Sequence, residues 1–321
     1  METVACNLCG SWNHTPVYHV PDRKFFPDEI FQVVECNDCG LGFVNPRPTF
    51  QEMAKYYPPE YYRSPGTKSF DKYLARRFSV QASHLQGAHN GSGPRTLLDV
   101  GCANGDFPRY MAAQGWNVAG VEVSDWANRT SDFPIYHQEF QDIPVCEPAY
   151  DVVTAWAVLE HVHDPATYFR KAAQVLKPGG LFVFLVPNFH STASRHLFCE
   201  DVPRHLFFFT DPTVSRYLEN SGLALEKVDN NRNIYKVAPQ NILQYTLRTK
   251  LLGQNFTYAD IPLSSRQYRQ KYGLTRGLKA AIKYTAYSPL SVIDRMLWPF
   301  IESAQVLRGT YGNTTYVARK R

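Results

Sequence analysis

Between Thr96 and about Asn230 the chain alternates short apolar runs with stretches whose apolar positions recur at helical period. The runs predict strands at Thr96–Val100, Asn117–Glu122, Asp151–Ala155, Leu181–Val186 and Ala224–Val228, with a short edge strand over Pro134–His137. Helix punctuation falls between them. A helical stretch from Phe107 to Gln114 follows a glycine turn. Asp164 caps a second helix with Pro165 in its first turn, and "KPGG" closes it at Lys177; Thr210 caps a third, which Gly222 ends. Strands alternating with crossover helices predict a parallel sheet of the α/β class. Four regions follow: residues 1–45, rich in Cys and turn formers; a helical linker over 46–94; an α/β domain over 95–230 completed by the strand-like 313–321; and a basic, helical insertion over 231–312.

Composition narrows the setting. A chain of 321 residues, 44% hydrophobic, has room for one large domain with accessories. No apolar run reaches the roughly 20 residues of a membrane span, and the start METVACNLCG lacks a basic-then-apolar leader. The cytoplasm is the expected compartment, with peripheral contact at the inner membrane face as an option, and its thiols are expected to be reduced. The net charge of +5 hides an asymmetry: residues 231–321 carry 15 Lys and Arg against 3 Asp and Glu, and the rest carries 19 against 26. One end of the chain either meets an anionic partner or presents a solvated basic face.

"CNLCG" and "CNDCG" place Cys6, Cys9, Cys36 and Cys39 as two C-x2-C knuckles. Two residues between thiolates let both sulfurs face one ion, and four thiolates close a tetrahedral zinc site with no open position. Zinc is therefore the expected metal, in a structural role. Cys102, Cys146 and Cys199 stand singly and read as packing residues.

The run "LLDVGCANGDF" (97–107) ends a strand in a glycine turn, and the next strand ends in Glu122, 21 residues after Gly101. One βαβ unit at that distance sets a carboxylate opposite the ribose hydroxyls of a nucleoside. The motif Asp99-Val-Gly101-Cys-Ala103-Asn-Gly105 resembles the first motif of class I S-adenosylmethionine-dependent methyltransferases. "DVVTAWAVLEHVHDP" (151–165) and "VLKPGGLFVFLVPN" (175–188) resemble their fourth-strand and fifth-strand segments. The resemblance implies a Rossmann-like seven-stranded sheet whose last strand runs antiparallel, and S-adenosylmethionine as cofactor. It implies that Asp99 and Gly101 hold the methionine end, that Gly105 opens the turn and that Glu122 takes the ribose. Phe140 then stands near the adenine and Trp156 where sulfonium and acceptor meet, with core packing as the alternative for both. Ala103 replaces the middle glycine, which implies tighter packing near the methionine moiety.

The segment "CEDVPRHLFFFTDPTVSRYLENSGL" (199–223) resembles bacterial methyltransferases of nucleotide-linked sugars and surface polysaccharides, which also carry a four-cysteine zinc module. That resemblance maps active-site histidines onto His205 and His161, in the role of proton acceptors, a role their ordinary pKa suits. Val202, Pro203 and Arg204 depart from the aromatic and acidic neighbourhood of the sugar C-methylating enzymes, so O-methylation stays open. The tyrosines of "YYPPEYY" (Tyr56, Tyr57, Tyr61, Tyr62) are candidates for a wall against a sugar ring, or a packed linker. The expected acceptor is a small molecule or glycoconjugate, anionic rather than a nucleic acid. Two other readings remain: an RNA base methyltransferase, weakened by "AWAVLEHV" where an Asn/Asp-Pro-Pro-Tyr type motif would stand, and a non-catalytic assembly module. Within 231–312, Leu290, Ile293, Leu297, Phe300, Ala304 and Leu307 form an apolar stripe kinked at Pro299, with Arg276, Lys279, Lys283 and Tyr284 upstream. It reads as a lid, a dimer interface or a membrane-surface element.

Overall fold

A computed structural model of the chain describes residues 1–22, 24–26, 28–58, 61, 68–88, 93–124, 131–145, 147–191, 194–195, 201–230, 232–235 and 289–321. Tyr62, Cys146, Cys199 and the stretch holding Arg276, Lys279, Lys283 and Tyr284 lie outside the described residues, as does the side chain of Leu290. One compact unit comprises Met1–Phe189, Asp201–Lys236 and Asn313–Arg321; a second comprises His190–Glu200 and Val237–Gly312.

In the first unit the strands are β1 (His14–Pro21), β2 (Ile30–Cys36), β3 (Gly42–Val44), β4 (Thr96–Val100), β5 (Asn117–Val121), β6 (Ile135–Tyr136), β7 (Tyr150–Trp156), β8 (Leu176–Pro187), β9 (Phe207–Phe208), β10 (Leu223–Asp229) and β11 (Asn313–Lys320). Its helices are α1 (Phe50–Met53), α2 (Lys68–Ser83), α3 (Asp106–Ala112), α4 (Pro165–Val175) and α5 (Asp211–Asn220). The second unit contributes α6 (Pro289–Leu307).

Seven strands form one sheet in the order β10-β11-β8-β7-β4-β5-β6. The five from β8 to β6 pair in parallel, and β11 runs antiparallel between β10 and β8. This is the Rossmann-like methyltransferase sheet. Its central strands β4, β7 and β8 are buried on both faces, which is why they read as near-continuous apolar runs. α4 begins as predicted, with the Asp164 side chain accepting from Thr167 N–H. It ends two residues earlier than predicted, at Val175, because Leu176 is already extended and pairs with Tyr150.

The N-terminal region forms its own antiparallel sheet, β1-β2-β3-β9. Its fourth strand comes from far along the chain: Phe207 and Phe208 pair with Phe43 and Gly42. The segment "RHLFFFT", which reads in sequence as a lead-in to a helix, thus supplies an edge strand first. Gly42 is required there, since a Cβ on it would stand 2.8 Å from Phe189 Cε1. Arg204, 0% exposed, locks the junction. Its Nη2 donates to Asp22 Oδ1 and Asp201 Oδ1 at 2.7 Å each, its Nη1 to Asp22 Oδ2 and the Tyr56 carbonyl at 3.1 Å.

Candidate functional site

Gly101, Ala103 and Gly105, in the turn after β4, all take positive φ, at 70°, 48° and 76°. Glycine adopts that region freely and alanine at some strain. A Cβ on Gly101 would come within 2.5 Å of Val158 Cγ2, and one on Gly105 within 2.6 Å of Phe133 Cζ, so both places exclude any larger residue. Cys102 packs inward, where a Cβ on Gly120 would lie 2.5 Å from its sulfur.

Two carboxylates flank the turn. Asp99 is buried at 3% exposure, and its Oδ1 accepts from Thr154 Oγ1 at 2.6 Å. Burial pushes its carboxyl up to about 7, opposed in part by the Thr154 hydroxyl and the Arg77 guanidinium. Glu122 follows β5 directly. Its Oε2 accepts from Ala103 N–H at 2.9 Å and its Oε1 from Ser124 N–H at 2.8 Å. Those bonds fix the carboxylate beside the turn and leave lone pairs on both oxygens for hydroxyl donors.

Trp156 ends β7 at 8% exposure with its ring edge on Phe107, and its Nε1 has no hydrogen-bond partner among the described residues. A buried indole N–H usually has one, so this atom fits a ligand's acceptor. Phe140 is 1% exposed and packs edge-on against Tyr168, so its ring lies in the core.

Arg77, on α2, was not legible as a site residue. Its guanidinium lies over the rings of Phe78 and Tyr235, 5.1 and 5.0 Å from their centroids, and its Nε has no hydrogen-bond partner among the described residues. Residues 232–235 fold onto α2, with Tyr73 Oη donating to the Ile234 carbonyl at 2.9 Å. Nothing in the local sequence marks this arginine. Only the seating of α2 beside Asp99 gives it a place.

His161 and His205, 44 positions apart, meet edge to face with ring centroids 4.7 Å apart. His161 Nδ1 lies 3.0 Å from the Arg204 carbonyl and 3.0 Å from Tyr57 Oη. The carbonyl can only accept, so Nδ1 carries the hydrogen and Nε2 keeps its lone pair. Burial, then the neighbouring His205, hold His161 far below the usual histidine range, at about 3. Tyr61 packs edge-on against Tyr57, and Tyr56 is buried, donating to Glu29 at 2.7 Å. Glu160 joins the pair: its carboxylate and the two imidazoles offer donor atoms within 4.8 Å of one another, a set that also suits a divalent ion. The turn from Val158 to His161 links the two halves of the site, since Val158 touches Gly101 and its carbonyl accepts from His161 N–H at 2.9 Å.

Cys6, Cys9, Cys36 and Cys39 converge, their sulfurs all within 4.8 Å of one another. The Cys6–Cys39 and Cys9–Cys36 separations of 3.4 and 3.5 Å are far too long for disulfides and close to the roughly 3.8 Å edge of a tetrahedral zinc–thiolate site. The donor set fits zinc. Asn7 of the first knuckle docks the cluster on the catalytic domain, accepting from Ala166 N–H at 3.0 Å and Tyr217 Oη at 2.9 Å.

Residues 70–228 match the model of a methyltransferase domain family. The ubiquinone biosynthesis O-methyltransferase of Nitrosomonas europaea is 34% identical over 119 residues, covering 34% of this chain and 51% of that protein. The enzyme of the same name from Azoarcus sp. is 28% identical over 190 residues, 51% of this chain and 82% of that one. The chain spans about half the length of several such relatives, 47% for Ralstonia nicotianae and 45% for Thiobacillus denitrificans. Among solved structures, phosphoethanolamine N-methyltransferase 2 of Haemonchus contortus with S-adenosyl-L-methionine aligns at 16% identity and a TM-score of 0.48, covering 87% of this chain and 61% of that one. Over residues 70–228 the chain matches a methyltransferase domain, carried on a Rossmann-like seven-stranded sheet.

Proposed function

We propose that this protein transfers the methyl group of S-adenosylmethionine to a hydroxyl of a small-molecule or glycoconjugate acceptor, with a saccharide as the favoured class. The observation that carries the proposal is the His161–His205 pair beside the cofactor turn, with His161 Nδ1 on the Arg204 carbonyl and its Nε2 left as an acceptor. The cofactor supplies the activated methyl group. The chain's residues would hold and align it: Asp99 at the ammonium, Arg77 at the carboxylate, Glu122 at the ribose hydroxyls, and the Trp156 N–H at an acceptor atom. His205, with His161 fixed behind it, would take the acceptor's proton as its oxygen bonds to the methyl carbon and the carbon–sulfur bond breaks, with S-adenosylhomocysteine leaving.

Oxygen as the acceptor atom is supported by the O-methyltransferase names of the relatives. The saccharide reading is supported by the resemblance over 199–223 and by Tyr57 and Tyr61 beside the pair, aromatic rings suited to a sugar face. We assign zinc to the four-cysteine cluster as a structural ion.

Radiolabelled methyl transfer to a panel of nucleotide-linked sugars, free sugars and phenols tests the acceptor class. Transfer to phenols with none to sugars would replace the saccharide reading. With the accepted substrate, His205→Ala should lower turnover by roughly 10²–10⁴ while S-adenosylhomocysteine affinity holds. Near-normal turnover in that variant would move the proton acceptor elsewhere.

A further inference from the structure

Helix α6 is amphipathic the wrong way round for a helix in water. Val292, Ile293, Met296, Leu297, Phe300 and Leu307 fall within one arc about 140° wide on the helical wheel. Each is at least 40% exposed, with Met296 at 72%, Phe300 at 74% and Leu307 at 88%. The opposite arc holds Asp294, Trp298 and Gln305, which are 0%, 8% and 6% exposed. A surface helix ordinarily turns its charges out and its apolar stripe in; here an acid and an amide are inside and six large apolar side chains face solvent. A contiguous apolar stripe of that kind marks an interaction surface.

Charge selects the partner. Residues 237–312 carry ten Lys and Arg against three Asp and Glu. Of the three acids, Asp294 is buried and Glu302 accepts from Tyr311 Oη at 3.3 Å. A second copy of the chain would add a like-charged partner through a self-complementary contact, which like charge opposes. An anionic bilayer matches both features, since apolar side chains enter the headgroup–acyl boundary while lysines and arginines meet lipid phosphates. No helix among the described residues is long and apolar enough to cross a membrane, so a contact of this kind lies in the interface plane. We infer that α6 docks this protein on an anionic phospholipid surface, with Met296, Phe300 and Leu307 as the inserting side chains.

Flotation of the full chain with phosphatidylcholine vesicles, with and without phosphatidylglycerol, decides it. The protein should float with the anionic vesicles at low salt, stay behind with the neutral ones, and detach as salt rises. Met296→Ser combined with Phe300→Ser should weaken partitioning at least about tenfold, because buried apolar area drives insertion. Leu307→Ser tests the same face by a single exposed change should the double variant lose S-adenosylhomocysteine binding and so report a lost fold. No flotation of the unaltered protein at low salt overturns the inference, as does flotation unchanged in both variants. Sedimentation showing a dimer that these variants dissociate would give the face to a second copy and overturn it equally.

Discussion

At the scale of single residues, two carboxylates with different environments should give different signatures. Glu122 is held by the Ala103 and Ser124 amides and is the residue we assign to the ribose. Glu122→Ala should cost about 2–3 kcal/mol of S-adenosylhomocysteine binding, the loss of two charge-assisted bonds, by calorimetry. Unchanged affinity would misplace the nucleoside. Asp99 is pushed up to about 7 by burial, so near neutral pH it is partly protonated. An ammonium group favours the ionised form, so affinity should rise as pH climbs through 7, and Asp99→Asn should flatten that dependence. His161 shifts in the other sense, to about 3 from an ordinary histidine value. Between about 3 and 6.5 the unfolded chain binds the extra proton. Stability therefore rises with pH through that window and is lost as pH falls, and His161→Asn should flatten the slope in denaturant titrations.

At the scale of elements, the junction between β9 and β3 is where the N-terminal sheet and the loop carrying His205 become one structure. Arg204 sits at its centre, and its carbonyl also orients His161. Burial opposes ionisation of Asp201, but Arg204 and Lys24 outweigh it and hold that carboxyl below the usual range. Replacing Arg204 by Met leaves Asp22, 0% exposed, without its counter-charge. The expected cost is about 3–5 kcal/mol, read as a fall in the denaturant midpoint. Asp22→Asn in the same background should restore part of it, because the stranded charge, rather than the lost contact, is the larger penalty. A midpoint that does not move would mean the junction is held by the phenylalanines alone.

At the scale of the molecule, four cysteines converge where β2 ends, and we assign them a structural zinc. Purified protein should carry about one equivalent of zinc, and Cys36→Ser or chelation should lower the melting temperature and expose the first 45 residues to protease. Full thermal stability without metal would end that reading. Much of this architecture was written locally. The strands β4, β7 and β8 announce themselves because burial on both faces forces apolar runs, the caps of α4 and α5 because orphan amides need oxygen acceptors nearby, and Cys6, Cys9, Cys36 and Cys39 because a knuckle's geometry is set by two intervening residues. Asp99, Gly101 and Glu122 meet at one turn for the same reason: one βαβ unit brings them together. What the chain alone did not reveal joins distant segments. The pairing of Phe207 with Phe43, the seating of Arg77 beside Asp99, and the outward turn of α6 each depend on which surface an element finds. Periodicity specifies that a helix has an apolar stripe; only tertiary packing decides that the stripe of α6 faces water while Asp294 lies inside.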